Sequence, residues 1–245
     1  MKKIAIVIAI LGFAQPLFAV VMSSTNYSIQ ADSANFGGGL SNSTNYTQES
    51  TFGEIATGPS GSTNYNIKAG YQQMNVVYIA IATVANVTLS PSIDGTVGGT
   101  ANGSTTVTVT TDSSAGYQLY IKASSSPALV SGANSFADYT PAGANPDFTF
   151  SIAASASEFA FSPEGSHITS EYKDNGTSCN TGVLDTNDSC WSPLTTTNEL
   201  IASSASGNHP AGTATVVEFR ASSGASNTQV AGAYTATTTV TATAL

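Results

Sequence analysis

Positive charge is scarce in this 245-residue chain: six Lys and Arg stand against 15 Asp and Glu, giving a formal net charge of −9. Two of the six, Lys2 and Lys3, sit at the extreme N-terminus, which leaves Lys68, Lys122, Lys173 and Arg220 scattered along the rest. Nucleic-acid binding needs Lys and Arg clustered against phosphates, so that partner class is excluded. Histidine is limited to His167 and His209, and neither belongs to an H-E-x-x-H pattern. Cysteine is limited to Cys179 and Cys190, with no third Cys or adjacent His to complete a zinc set. A nucleophile elbow and a phosphate-binding glycine loop are both missing. Glu158, Glu164 and Glu171 fall across strand or loop boundaries, so nothing pairs two carboxylates as acid and base. A secreted hydrolase is therefore the weakest reading, and no enzyme activity is expected.

Long apolar runs are equally scarce. Residues 4–13 form one, behind Lys2 and Lys3 and ahead of Pro16-Leu17-Phe18-Ala19. Positive start, short apolar run and small residue at a cleavage point read as a signal peptide over residues 1–19, with export to follow. The other run is residues 76–82, VVYIAIA, too short to span a bilayer as a helix. Its β-branched content predicts a buried strand, and a strand that docks into a neighbouring subunit is the alternative.

Behind the leader, Ser24-Thr25-Asn26-Tyr27, Ser43-Thr44-Asn45-Tyr46 and Ser62-Thr63-Asn64-Tyr65 are identical tetrapeptides spaced by 19 residues. Three copies at one period predict repeated structural units over residues 20–73, each read as one strand and a glycine-bearing turn. The repeated Tyr is expected to pack on a sheet face.

From residue 76 onward the pattern is period two, which places alternate side chains on opposite faces of a sheet. Val107 and Val109 alternate with threonines, and Tyr117, Leu119 and Ile121 alternate with polar residues after a turn at 112–116. That stretch reads as a central hairpin. Further strands are predicted at 84–89, at 147–153 with Phe148, Phe150 and Ile152, at Phe159 and Phe161 up to Pro163, at 213–220, and at 234–245. Residues 125–146 read as a long loop. Seven or eight such strands predict an all-β chain: an immunoglobulin-like β-sandwich over 76–245, preceded by the small β-repeat module.

Residues 165–199 are the polar, irregular part. Cys179 and Cys190 are expected to form a disulfide there, which fits an oxidising compartment. Asp174, Asp185, Asn187 and Asp188 are oxygen donors near it, and calcium takes six to eight such oxygens. The Asp185-x-Asn187-Asp188 spacing lacks the glycine and terminal Glu of a helical-hand loop, so a solvated polar loop is weighed against calcium. Tyr172 and Trp191 flank the loop as candidate ligand-binding aromatics, against packing on the disulfide.

The Asp112-x-x-x-Gly116-Tyr117-x-Leu119 turn and the closing Gly232-x-Tyr234-Thr235-Ala236-Thr237 strand resemble WxL-type cell-surface domains of bacteria. The Ser-Thr-Asn-Tyr repeats resemble N-terminal segments of uncharacterised secreted bacterial surface proteins. The resemblance implies a β-sandwich displayed outside the cell, adhering to cell-wall components or to other surface proteins. Those domains end in Trp-x-Leu, whereas this strand ends Ala242-Thr243-Ala244-Leu245. The expectation is a secreted, non-enzymatic structural or adhesive protein of a bacterial surface, with wall or surface components, glycans or further copies of itself as partners. A carbohydrate- or calcium-dependent binding module is the alternative.

Overall fold

The computed structural model describes residues 22–23, 28–29, 37–44, 47–52, 58–61, 66–69, 77–82 and 84–245. The expected signal peptide and the repeated tyrosines Tyr27, Tyr46 and Tyr65 lie outside them. The chain divides into two units, Met1–Val76 and Val77–Leu245.

In the first unit, β1 (Met22–Ser23) pairs with β2 (Ser28–Ile29), β3 (Gly37–Asn42) with β4 (Thr47–Phe52), and β5 (Gly58–Gly61) with β6 (Asn66–Ala69), all antiparallel. Each pair flanks one Ser-Thr-Asn-Tyr copy. The closing partners Ser23↔Ser28, Asn42↔Thr47 and Gly61↔Asn66 recur at the 19-residue period of the sequence. Two short paired strands thus flank each tetrapeptide copy, where one strand per copy was expected.

The second unit is a β-sandwich. Its strands are β7 (Ile79–Ile81), β8 (Gly99–Thr111), β9 (Tyr117–Ala123), β10 (Leu129–Ser131), β11 (Asn134–Asp138), β12 (Ser157–Glu164), β13 (Ser192–Pro193), β14 (Glu199–Ser204), β15 (Thr213–Ser223) and β16 (Thr238–Ala244). One sheet runs β10-β11-β12-β15-β8-β7 with β13 on the far side of β12, and the other runs β14-β9-β16. One 3-10 turn, Ser170–Tyr172, is the sole helical element among the described residues.

β8 and β9 belong to different sheets, so residues 112–116 form an arch between layers and not a hairpin turn. The reason is apolar content on both strands. Val107 and Val109 of β8 and Tyr117, Leu119 and Ile121 of β9 are all buried, and facing each other across the interior covers both sets at once. Gly116 closes the arch at φ +90, where a Cβ would lie 1.9 Å from the Ser204 carbonyl oxygen. β15 adds Val217, Phe219 and Ala221 to this core, and β12 adds Phe159 and Phe161, with the Phe159 and Phe219 rings stacked at 6.0 Å. Full burial of each such side chain contributes about 1.5–3 kcal/mol.

Three other expectations change. Residues 125–146 contain the β10–β11 hairpin, whose Leu129 and Phe136 reach the core. Residues 147–153 form no strand: their one ladder contact is an isolated bridge between Asp147 and Trp191. Their alternation serves packing instead, since Phe148 covers the main core while Phe150 and Ile152 cover a second cluster of Tyr139, Ala160 and Trp191. β12 does not stop at Pro163, which pairs with Val217 of β15. On its other side β12 meets β13 only at Ala160 and Phe161, so no ladder there needs the N–H that proline lacks.

Candidate functional site

The disulfide loop is the first place to look: Asp174, the two cysteines and Trp191 are buried, while most of residues 175–188 are exposed. Cys179 and Cys190 are bonded, with Cα atoms 5.7 Å apart. Asp174 is wholly buried and acts as the hub of the loop. Its Oδ1 accepts from the Gly176 N–H at 2.7 Å and the Thr186 hydroxyl at 2.9 Å, and its Oδ2 accepts from the Thr186 N–H at 2.9 Å. Burial pushes this carboxyl up, but the three donors outweigh it and hold it below its ordinary value. Gly182 must lack a side chain here, because a Cβ would lie 1.8 Å from the Asp174 carbonyl oxygen.

The other loop candidates have separate engagements. Asp185 accepts from the Gly165 N–H at 2.8 Å, Asp188 pairs with Arg220 at 2.9 Å, and Asn187 is exposed. The carboxylates considered for calcium are therefore each spent on a different structural partner. Among the described residues no group of three His, Cys, Asp or Glu is placed to hold a metal ion.

Tyr172 and Trp191, the candidate ligand-binding aromatics, are 2% and 0% exposed. Neither offers a ring face to a sugar, which corrects the picture of exposed platforms. The cause is the packing demand of two large apolar bodies with polar tips. The Tyr172 hydroxyl donates to Glu199 at 2.6 Å, and the Trp191 Nε1–H donates to the Asp188 carbonyl at 3.0 Å. Burial, reinforced by the charge of Glu199, pushes the Tyr172 phenol well above its ordinary value. Tyr139, stacked on Phe150 at 4.6 Å, is pushed up to about 12 by burial.

The carboxylates weighed for catalysis are also apart in their engagements. Glu158 accepts from the Thr140 N–H at 2.8 Å and Glu164 from the Asp188 N–H at 2.9 Å. His167 Nδ1 lies 3.0 Å from the Tyr117 hydroxyl, and His209 packs edge-on against Tyr78.

The feature that stands open is the side of the sandwich between residues 84–93 and β16. An uncharged groove of about 1060 Å³ runs there, reaching the core side chains Ile121, Phe136, Phe159, Val217 and Phe219. No charged residue lines it. Its polar side chains include several threonines, Asn86 and Gln229, whose amide donates to the Tyr234 hydroxyl at 2.7 Å and to the Ser135 carbonyl at 3.2 Å.

Residues 84–89 form one lip of the groove and β16, with β7 close by, the other. Residues 84–89, expected as a strand, belong to no ladder, and the first bridge after them is Ser90 to Asn102. Val84, Val87 and Leu89 are half-buried and lean on the core, while Ala85, Asn86 and Thr88 are exposed. Gly103 of β8 permits this approach, since a Cβ there would lie 2.7 Å from Val87 Cγ1. The opposite lip, β16, pairs with β9 on one side and with no strand on the other. No reading of the sequence singled out this groove. The signal available was charge: residues 76–93 and 228–245 contain none.

Compared with protein-family models, with curated proteins and with solved structures, the chain finds no match.

Proposed function

We propose that the chain is an exported, non-enzymatic protein of a bacterial surface or extracellular space, with a structural or adhesive role. The observation that carries this reading is the uncharged groove beside the edge strand β16, a surface suited to holding another polymer. Several features support it. The Cys179–Cys190 bond fits an oxidising compartment, and among the described residues no helix is long and apolar enough to cross a membrane. The leader-like residues 1–19 and the resemblance to WxL-type surface domains point the same way. The immunoglobulin-like type of sandwich is supported by the β8-to-β9 crossing between layers and by the return of β15 beside β8. Partners on this reading are wall or surface components, or other surface proteins.

Fractionation of the native protein tests the proposal. Culture fluid, washed cells and cytoplasm are compared by immunoblot, before and after EDTA. The protein is expected on washed cells or in the fluid, shortened by its leader. Full-length protein confined to the cytoplasm would overturn the reading. Release from cells by EDTA would add a divalent-ion dependence and make residues 174–188 the first target for mutagenesis.

A further inference from the structure

We propose that the Val183–Leu184 peptide bond is a proteolytic processing site for an endopeptidase selective for aliphatic side chains, and that the cut chain persists as a two-chain molecule held by Cys179–Cys190. This goes beyond the structural or adhesive reading and needs only that the disulfide is formed.

Exposure and backbone bonding single out this bond. Val183 is 85% exposed and Leu184 50%, at the tip of a loop that is itself mostly exposed. Exposed loop tips are where folded chains are nicked. An endopeptidase must also draw several residues on each side of the bond into its cleft, which needs local opening. Among the described residues, the hydrogen bonds of residues 175–183 run only within that stretch or to Asp174, and none reaches a sheet strand. Leu184 exchanges both backbone bonds with Asp174 at 3.0 Å, and Thr186 donates to the Asp174 carboxylate from its N–H and its hydroxyl. Asp174 is thus the latch. Its release opens the stretch after Cys179 as far as Asp185, which is tied to the Gly165 N–H at 2.8 Å.

The other exposed aliphatic sites are held more widely. Val97 sits in a turn where Asp94 Oδ1 accepts from the Thr96 N–H at 2.7 Å and the Val97 N–H at 3.1 Å. The next residue, Gly98, packs so closely that a Cβ would lie 2.4 Å from the Ser223 carbonyl oxygen. Val230 belongs to a loop tied to three separate segments, through Ser226 N–H to Ala154 O, Gln229 N–H to Gly95 O and Thr235 N–H to Val130 O. Opening there must break contacts with all three. Charge then decides the class of enzyme. Lys122 lies within β9, the Arg220 side chain is mostly covered, and Lys173 is half-buried beside Asp174. An enzyme that requires Lys or Arg therefore finds no open tip in residues 77–245.

The cut adds one water across the bond, leaving a carboxylate on Val183 and an amine on Leu184. Cys179 stays with the first piece and Cys190 with the second, so the disulfide joins them. The fold interleaves them as well. β14, β15 and β16 all come from the second piece; β15 lies between β12 and β8, and β14 and β16 flank β9. Parting the pieces would dismantle both sheets, so the nicked molecule keeps its sandwich.

Limited proteolysis of the full oxidised chain, with an elastase and in parallel with trypsin, tests the proposal. Mass spectrometry is expected to place the elastase's first cut within residues 77–245 after Val183. The product should run as one band without reductant and as two with it, and circular dichroism should keep its β signal. Trypsin should leave residues 77–245 whole, whereas Val183→Lys should let it cut at that position. Asp174→Ala should speed the elastase cut about 5- to 30-fold without moving it, because cleavage follows the population of the opened loop. Circular dichroism confirms that both variants fold. A first cut elsewhere in residues 77–245, a chain that the elastase leaves whole, or a nicked chain that loses its β signal would overturn the proposal; so would a Val183→Lys variant that trypsin leaves whole.

Discussion

The Arg220 guanidinium lies 4.3 Å from the centroid of the Trp191 ring, joining β15 to the disulfide loop across the outer face of the larger sheet. The same group donates from Nη2 to Asp188 at 2.9 Å and from Nε to Asn102 at 2.6 Å. Its stem is mostly covered, whereas Asp188 is 66% exposed, so the ring contact matters more than the ion pair. Arg220→Ala should cost about 1–2 kcal/mol, and Asp188→Ala no more than about 0.5 kcal/mol. Urea unfolding followed by Trp191 fluorescence measures both. Equal losses would mean that the ion pair dominates.

Asp174 should be the loop residue least tolerant of change. Asp174→Ala removes three hydrogen bonds whose donors, on exposed Gly176 and Thr186, water can reach, and is expected to cost about 1–2 kcal/mol. Asp174→Asn should cost less, since one oxygen remains to accept. Thermal melts of the two variants check that order.

Reduction of Cys179–Cys190 frees an 11-residue separation, and by the chain-entropy model should cost about 2–3 kcal/mol. The rest of the sandwich core is built from other elements, so a reduced chain should keep its β signal in circular dichroism and melt earlier. Complete loss of structure would show that the loop holds up the fold.

Acid should first stabilise this protein and then destabilise it. Burial raises the carboxyls of Glu164, Asp185 and Glu218, with neighbouring acids adding to the rise at each. A raised native value means that the folded state holds its proton more tightly, so stability grows as pH falls from neutral toward the usual carboxylate range. Asp94, held low by the Thr96 hydroxyl and N–H and the Val97 N–H, and Asp174, held low by its three donors against burial, act oppositely. Their contribution is lost as pH falls below about 4. Melting temperature should therefore peak in mild acid. A monotonic fall from pH 7 downward would contradict this balance.

How much of this was legible in sequence depends on what each residue had to satisfy. Alternation located β8, β9, β15 and β16 because each turns its apolar side chains to one face, and located β12 by Phe159 and Phe161 although Ala160 and Ser162 on its other face are buried too. It misled at 147–153, where Phe148, Phe150 and Ile152 alternate to fill two separate clusters without a ladder. β10 and β11 were hidden because three- and five-residue strands carry too few alternations to show a period. The disulfide was readable from two cysteines with no third thiol to pair with, whereas the burial of Tyr172 and Trp191 was set by tertiary packing. The groove is the absence of a strand, and no local pattern encodes an absence.

Amide hydrogen exchange along β16, residue by residue by NMR, tests the two-sheet account most directly. The account predicts slow exchange at Thr239, Thr241 and Thr243, whose N–H groups face β9, and faster exchange at Thr238, Val240, Ala242 and Ala244. Uniform protection, or uniformly fast exchange, along the strand would contradict it.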